Sequence, residues 1–365
     1  MMALMNAFSR AHAVMSTGRA AISREDHSTS EWREPLYQLL QHDLDWTCVG
    51  TAIGNAVSTG ASLPGDAANT PLSPLPEASS FRHVHEAPRH TWALRVAYYG
   101  PSYRGFAWQL DFPLECVAGC IEAGLASLLG KKPRLACAGR TDAGVSAIGQ
   151  LVTFYTWDAT LTVDMLRAAI ESAAPVAGTL RLVSAQRVPR DVHATFSTCW
   201  RRYVYLLPDD GRLGVSADAI HRQLRPLVAA GAADYAALGR GLPRGKSTTM
   251  TLHEASASSV RLPACDAPGH RRDGPAVPPS SAIRFELVGD RFLRRQVRTL
   301  VSSALHAARE AEEAPDALSA NSQLLRIVTS GVQQLTAHPA PPNGLVFADS
   351  GVSGVEWTSS TTDAM

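Results

Sequence analysis

The chain has 365 residues, of which 45% are hydrophobic and 18% are charged. This length and balance predict a globular protein with enough apolar side chains for two or three domains. The formal net charge is only +1 at pH 7, which argues against nucleic-acid binding over the whole surface and confines any such site to a local groove. No apolar stretch approaches the roughly 20 residues that a membrane-spanning helix requires, so we expect no membrane partner.

The first 90 residues are weakly patterned. Residues 1–24 carry three arginines, several serines and threonines, and no acidic residue, which is typical of a mitochondrial presequence but also of an ordinary disordered terminus. This leaves the compartment open between the mitochondrion and the cytoplasm or nucleus. Residues 36–46 could form one short helix, and residues 49–80 are rich in Ala, Ser, Gly and Pro, as linkers are. We predict a disordered extension over residues 1–90.

Ordered patterning begins at Trp92, where apolar and polar residues start to alternate as in a half-buried strand. Pro113 opens a helical pattern, because proline is tolerated in a first helical turn, and Gly130 ends it. In this part of the chain the patterns predict strands at 92–98, 135–138, 150–156 and 179–188, and helices at 113–129 and 163–172.

The second part of the chain repeats this order loosely. Its strongest signal is a helix over residues 292–309, with apolar side chains along one face. Five prolines within residues 263–281 indicate a long loop inserted in a hairpin. The predicted elements are strands at 203–207, 251–261, 283–288 and 345–347, and helices at 222–230, 292–309 and 319–328.

Strands and helices mix without strict alternation, which indicates an α+β protein built from two related halves. The break between the halves falls near residues 195–201. We therefore divide the chain into an N-terminal half at 91–196, a C-terminal half at 197–350 and a tail at 351–365.

Six cysteines are spread along the chain, and their spacing does not supply the four ligands of a structural zinc site. We expect reduced, mostly buried thiols and no bound metal. The positions are Cys48, Cys116, Cys120, Cys137, Cys199 and Cys265.

Residues 139–150 carry the chemistry. They read Gly-Arg-Thr-Asp-Ala-Gly-Val-Ser-Ala-Ile-Gly-Gln and lie between two predicted strands. Their glycines allow tight turns and a close approach of a ligand to the backbone. Arg140 and Asp142 are two residues apart, so in an extended segment they project to the same side. From the residues alone, a turn in which Asp142 caps backbone amides is the simpler interpretation.

A resemblance to a known family changes that interpretation. Residues 139–145 together with Gly149 and Gln150 closely resemble the signature of the tRNA pseudouridine synthase A family. The similarity runs in order from residue 92 to about 348. Further stretches that match are 98–100, 103–107, 193–197, 201–205, 292–298 and 341–345.

The resemblance implies a role for each matching residue. Asp142 is expected to be the catalytic aspartate, Tyr203 to line the uracil pocket and Arg298 to be the basic partner of Asp142. Arg140 is expected to contact the RNA beside the extracted base. Predicted RNA contacts also include Arg201, Arg202, Arg294, Arg295, Lys131 and Lys132. For Arg294 and Arg295, which lie on the late helix beside its apolar face, a solvated basic face is the alternative.

The resemblance also implies an overall architecture and an activity. The fold expected is that of pseudouridine synthases, with a mixed, mainly antiparallel sheet and a central RNA-binding cleft. The expected activity is the isomerisation of uridine to pseudouridine in tRNA, by a homodimer and without any cofactor. Two alternatives remain open: a synthase that acts on ribosomal or messenger RNA, and a non-catalytic RNA-binding assembly factor.

Several positions depart from the usual family pattern. Ser146 stands where the family usually has histidine, and residues 105–107 read Gly-Phe-Ala; both features are similar to a eukaryotic branch that modifies the anticodon stem-loop. Tyr99 replaces a frequent Asp, and Thr195 replaces a frequent Arg. The preferred uridine therefore stays open.

Overall fold

The computed structural model describes residues 32–67, 71–75, 89–243, 245–263, 280–313 and 322–352. Within these residues the chain forms one mixed β-sheet and seven α-helices. The strands are β1 His90–Tyr98, β2 Ala136–Cys137, β3 Ser146–Thr156, β4 Leu180–Val188, β5 Thr198–Asp209, β6 Ala232–Asp234, β7 Thr249–Arg261, β8 Ser281–Gly289 and β9 Leu345–Val352. The helices are α1 Arg33–Gln38, α2 Thr47–Thr59, α3 Val117–Leu129, α4 Val163–Ser172, α5 Ala217–Ala229, α6 Gln296–Glu313 and α7 Gln323–Thr329.

The strand order joins two groups of strands into a single sheet. The order is β4-β1-β3-β9-β5-β8-β7-β6, with β2 paired to β3 off this path. Every pairing is antiparallel except that of β3 with β9, where Ala147 lies opposite Phe347. The N-terminal strands therefore meet the C-terminal strands along one short parallel contact. The predicted α+β class with a mixed, mainly antiparallel sheet is confirmed.

One face of the sheet carries most of the helices and the larger core. Helices α3 and α4 pack together and α4 lies on β4, while α5 lies on β7 and contacts α6 and α7. Helix α4 begins at Thr162, whose hydroxyl accepts a hydrogen bond from Met165 N, and its buried residues Leu166 and Ile170 are four apart. This spacing turns one apolar stripe toward the sheet.

The opposite face of the sheet is covered by α2 of the N-terminal segment, whereas Leu36 of α1 belongs to the larger core. The prediction of disorder is therefore wrong for the described part of this segment. Helix α2 lies inside the stretch interpreted as a linker. Its buried residues Val49, Ile53 and Val57 repeat every four positions, and Val49 and Ile53 form a cluster with Val204 and Val346 of the sheet. The Ala and Gly residues between the buried residues of α2 allow close packing. They also make the stretch less apolar overall, so its composition does not reveal the apolar stripe.

Most other predicted elements are present with shifted ends. Helix α4 has the predicted bounds, and α3 ends at Gly130, which has φ +64. Helix α6 starts at Gln296 and not at residue 292. Strand β6 was not predicted. The presequence-like residues 1–24, most of the proline-rich loop at 263–281 and most of the tail lie outside the described residues.

The cysteines correct one further expectation. Cys116, Cys120, Cys137 and Cys199 form no disulfide, but Cys48 is disulfide-bonded, so the expectation that all the cysteines are reduced is wrong. In the described part of the chain, no helix is long and apolar enough to cross a membrane.

Candidate active site

The loop between β2 and β3 holds Asp142 at the junction of the two groups of strands. Its backbone is fixed from three sides. Gln150 Nε2 donates to Gly139 O at 2.6 Å, Tyr98 Oη and Thr141 Oγ1 lie 2.8 Å apart, and Val145 N donates to Asp142 O at 3.2 Å. Since these contacts are mostly buried, the carboxylate has a defined position before any ligand arrives.

Two glycines let neighbouring segments close on this loop. Gly144 has φ +80, and a Cβ placed on it would stand 2.9 Å from Pro342 Cγ. Gly105 has φ +106 and faces the backbone nitrogen of Ala143, with a hypothetical Cβ only 3.1 Å away. Both backbone conformations favour glycine. The loop is therefore enclosed by the turn after β1 and by the segment before β9.

Arg298 forms an ion pair with Asp142. Its Nη1 lies 3.2 Å from Asp142 Oδ2, and its Nε donates to Ala340 O at 2.6 Å. The arginine side chain is 13% exposed and the aspartate side chain 30% exposed. Burial lowers the pKa of the Arg298 guanidinium, and the charge of Asp142 opposes that shift. The carboxylate thus faces solvent on one side and a fixed positive charge on the other.

Tyr203 forms an aromatic wall beside this ion pair. The ring is 8% exposed and packs edge-on against Phe292 and Phe347, with centroid distances of 5.0 and 5.1 Å. Burial raises the pKa of Tyr203, and the nearby Asp142 adds to this while Arg201 opposes it. The phenol therefore stays neutral at physiological pH, and the three rings, packed edge-to-face, make an apolar wall beside Asp142.

The two arginines that precede Tyr203 lie on opposite faces of β5. Arg201 shares the face of Tyr203, and its guanidinium donates to the backbone carbonyls of Ala138, Thr198 and Asp290. Arg202 is buried on the other face, where it pairs with Asp66 and Glu286. Arg201 therefore holds the base of the loop that carries Asp142, and the structure does not bring Arg202 to the site. For Arg202, the expectation of an RNA contact is corrected by this burial.

The remaining predicted RNA contacts are all exposed. Arg140 lies beside Asp142 on the same loop, and Arg294 and Arg295 lie just before α6, close to Arg298. Arg295 has φ +61, a left-handed conformation that is uncommon for a residue with a side chain. Lys131 and Lys132 follow α3, where their ammonium groups lie over the rings of Trp157 and Trp108. Contact of these residues with RNA stays a prediction.

Sequence reasoning assigned no role to Phe292 and Phe347, which complete the aromatic wall. Phe292 heads the stretch 292–298 and Phe347 lies on β9, directly opposite Tyr203 in the β5–β9 register. The sequence indicated them only by residue type, since large aromatic residues close to matched motifs are candidates for a pocket that accepts a planar base. Among the described residues, no group of three or more His, Cys, Asp or Glu side chains is placed to bind a metal ion.

The fold and this site together define a pseudouridine synthase. Sequence comparison gives the same class. The chain is 30% identical over 265 residues to the tRNA pseudouridine synthase A of Jannaschia sp., covering 71% of this chain and 94% of the relative. The protein of the same name from Cereibacter sphaeroides is 33% identical, covering 58% of this chain and 79% of the relative. That from Chlorobium phaeovibrioides is 32% identical, covering 59% of this chain and 83% of the relative. No family model matches. The chain belongs to the tRNA pseudouridine synthase A family.

Proposed function

We propose that the protein isomerises uridine to pseudouridine in tRNA and that the uridine lies in the anticodon stem-loop. The observation that carries this proposal is the ion pair of Asp142 and Arg298 beside the ring of Tyr203, at the junction of the two groups of strands. The names of the relatives support tRNA as the substrate.

The target base has to leave its stack before it reaches Asp142, because the reacting atoms are inaccessible inside a helix. Extrusion costs a few kcal/mol. Stacking of the uracil on the aromatic wall of Tyr203 returns roughly 1–3 kcal/mol. Arg140 is exposed beside the carboxylate, and its planar cation can fill the gap that the base leaves in the RNA. These two contributions offset most of the cost.

The reaction exchanges one bond of the uracil for another. The bond between N1 and C1′ breaks, the freed uracil turns, and a bond forms between C5 and C1′; C5 loses its proton and N1 gains one. Asp142 takes part either by attacking the sugar or base and leaving when C5 bonds, or by taking a sugar proton that is later returned. In both routes the carboxylate starts ionised and is regenerated, so the reaction consumes nothing else.

Ser146 supports the assignment to the anticodon stem-loop. This residue is fully buried at the start of β3, and its hydroxyl accepts a hydrogen bond from Gly100 N at 2.9 Å. A Cβ on Gly100 would stand 2.3 Å from Val145 C, so the turn after β1 lies directly on this position. A histidine has no room there unless that turn moves outward. Residues 105–107 follow the same turn, and Gly105 packs on the backbone of Thr141 and Ala143 in the loop that leads to Ser146.

Replacement of Asp142 tests the proposal. The substitutions Asp142→Ala and Asp142→Asn are expected to abolish pseudouridine formation, while the variants still bind tRNA. Pseudouridine is mapped across cellular RNAs by chemical derivatisation and sequencing, in a strain that carries each variant as its sole copy. Asp218→Asn, an exposed carboxylate in the first turn of α5, is the matched control and is expected to leave the map unchanged.

The map also separates the alternatives. Marks that disappear only from the anticodon stem-loop support the proposal in full, and marks that disappear elsewhere in tRNA remove the stem-loop assignment. Marks lost only from ribosomal or messenger RNA contradict tRNA as the substrate. An unchanged map with intact RNA binding contradicts catalysis and favours an assembly factor.

We also propose that the protein is a homodimer. The support for this is the family resemblance. Sedimentation at micromolar concentration tests it, and a monomer at that concentration removes the proposal without affecting the chemistry at Asp142.

A further inference from the structure

An alternating row of aromatic and cationic side chains lies on the surface of the N-terminal half. Lys132 Nζ is 4.7 Å from the ring centre of Trp108, and Lys131 Nζ is 4.6 Å from that of Trp157. The ring of Trp157 meets the ring of Tyr155 edge-on at 5.3 Å, and Arg89 lies 4.8 Å above Tyr155. We call this set the aromatic–basic row; its members are Trp108, Lys132, Lys131, Trp157, Tyr155 and Arg89.

The row lies outside the pocket. Trp157 follows the last residue of β3, whereas Asp142 precedes the first, and a strand of 11 residues is about 36 Å long. Helix α3 runs in the same direction. Its first turn is bonded to Phe106, which in turn is bonded to Thr141 of the catalytic loop, while Lys131 and Lys132 follow its C-terminus. The far end of the row, at Trp157 and Tyr155, is therefore on the order of 30 Å from Asp142, whereas Trp108 lies two residues after Phe106 and so nearer the loop that carries Asp142.

Large aromatic side chains are exposed along the row. Trp108, Tyr155 and Trp157 are 43%, 39% and 50% exposed. Adjoining exposed apolar side chains of this kind mark interaction sites. The surroundings are basic: Arg134 is also exposed, Lys132 additionally pairs with Glu122 at 2.7 Å, and Asp158 turns its carboxylate to Thr160. The patch therefore combines flat rings with an excess of positive charge.

We propose that the aromatic–basic row is a second contact for the RNA substrate, which stacks an unpaired base and binds backbone phosphates outside the pocket. This inference rests on the proposed function. A cation over an exposed ring is worth about 0.5–1 kcal/mol, whereas a base stacked on an aromatic side chain is worth about 1–3 kcal/mol. An arriving base can therefore displace an ammonium group from a ring, and the freed ammonium moves to the neighbouring phosphate.

Charge favours RNA over a protein partner. Lysine is depleted in the cores of protein–protein interfaces, but here two lysines and an arginine are interleaved with the rings. Phosphate contacts of this kind fix the position and register of an RNA without reading its sequence. A contact at Tyr155 and Trp157, about 30 Å from Asp142, would be reached by a whole tRNA and not by a short stem-loop that carries only the target uridine.

The test compares these two substrates. The variant Tyr155→Ala/Trp157→Ala is expected to raise the Kd for full-length tRNA about 10- to 100-fold, the equivalent of one stacked base, and to leave kcat/KM on the short stem-loop unchanged. For whole tRNA, the plot of the logarithm of the association constant against the logarithm of the salt concentration has a negative slope. The variant Lys131→Gln/Lys132→Gln is expected to make this slope less steep by about 2. Arg222→Gln/Arg225→Gln, which removes two exposed charges from α5, is the matched control.

The outcomes are distinct. An equal loss on both substrates, or no loss on either, overturns the second contact. A change in sedimentation with RNA binding unchanged overturns it as well and assigns the row to a subunit interface. If the wild-type protein forms no pseudouridine in either substrate, the proposed function fails, and the tRNA-binding measurements still decide whether the row binds RNA.

Discussion

Arg298 makes two contacts that a lysine cannot reproduce together. Its Nε binds Ala340 O while its Nη1 binds Asp142, so the planar guanidinium sets both the direction and the distance of the charge. A lysine offers one point charge on a flexible stem. With the cation misplaced, the carboxylate loses the partner that fixes its position in a partly buried site.

The substitution Arg298→Lys is therefore expected to lower kcat about 100-fold, the usual cost of removing one preorganised charged donor, with a much smaller change in the Kd for tRNA. Single-turnover rates at saturating enzyme measure the first quantity and filter binding the second. Arg309→Lys lies on the same helix, where its Nε binds Leu213 O, and serves as the control. Equal rates for the Arg298→Lys variant and the wild type would contradict a role for the ion pair.

At the residue scale, part of the site could be predicted from the sequence and part could not. Asp142 was found because its motif is local. The aromatic wall was missed because its rings are far apart in the chain: Phe347 meets Tyr203 through strand pairing, and Phe292 reaches it from the loop after β8. Arg202 could have been excluded, since successive strand residues face opposite sides of a sheet and Tyr203 was already placed in the pocket.

At the element scale, the apolar periodicity of the sequence does not show where α6 begins. The apolar spacing extends back to residue 292, but Arg295 adopts φ +61 and the helix begins only at Gln296. The break frees Phe292 to reach Tyr203. A helical start at 292 would have placed this ring on the helix surface. The late start of α6 is thus needed to place Phe292 beside Tyr203. Departures from local sequence preferences of this kind are expected at functional sites.

Helix α2 shows the reverse case, an element concealed by small residues. A Cβ on Gly50 would stand 3.2 Å from Tyr99 Oη, and Gly54 faces the same ring at 3.8 Å. The Tyr99 side chain, which stands where the family frequently has Asp, therefore packs against the glycines of α2. The tyrosine at position 99 and helix α2 therefore depend on each other. The aromatic ring needs an apolar surface to pack against, and an aspartate at this position would not.

The packing of α2 predicts a stability effect. Ile53 is fully buried against the sheet, so Ile53→Ala is expected to lower the free energy of unfolding by about 2–5 kcal/mol, the range for losing a large buried aliphatic side chain. Urea unfolding monitored by circular dichroism measures this change. Asn55→Ala alters an exposed position of the same helix and is expected to stay within about 0.5 kcal/mol. If both variants unfold like the wild type, α2 does not contribute to the core.

At the scale of the whole molecule, buried arginines hold the N-terminal segment on the sheet. Arg202 and Arg284 both bind Asp66 and Glu286. A second cluster joins Arg95 to Asp349, which also accepts hydrogen bonds from the backbone and side chain of Ser73. Segments that a composition-based analysis assigns to a disordered extension thus complete two charge clusters in the body of the protein. Composition could not show this, because each cluster joins residues far apart in the chain.

The cluster around Glu286 makes the stability of the molecule depend on pH. Burial alone would raise the pKa of Glu286, but hydrogen bonds and charge from Arg202 and Arg284 outweigh it and hold the pKa below the usual 4.5. A carboxylate whose pKa is lower in the folded than in the unfolded chain stabilises the fold at pH values above the unfolded pKa. That contribution is lost as the pH falls through the folded pKa.

The substitution Glu286→Gln is therefore expected to cost on the order of 3 kcal/mol at pH 7, because it leaves buried arginine charge with less compensation. The difference from the wild type is expected to narrow as the pH falls below 4.5, since the wild-type glutamate then becomes neutral as well. Urea unfolding over a pH series measures both quantities, with the exposed Glu312→Gln as control. A difference that stays constant from neutral to acidic pH would show that the charge of Glu286 does not couple folding to protonation, and that the two arginines are held by Asp66 alone.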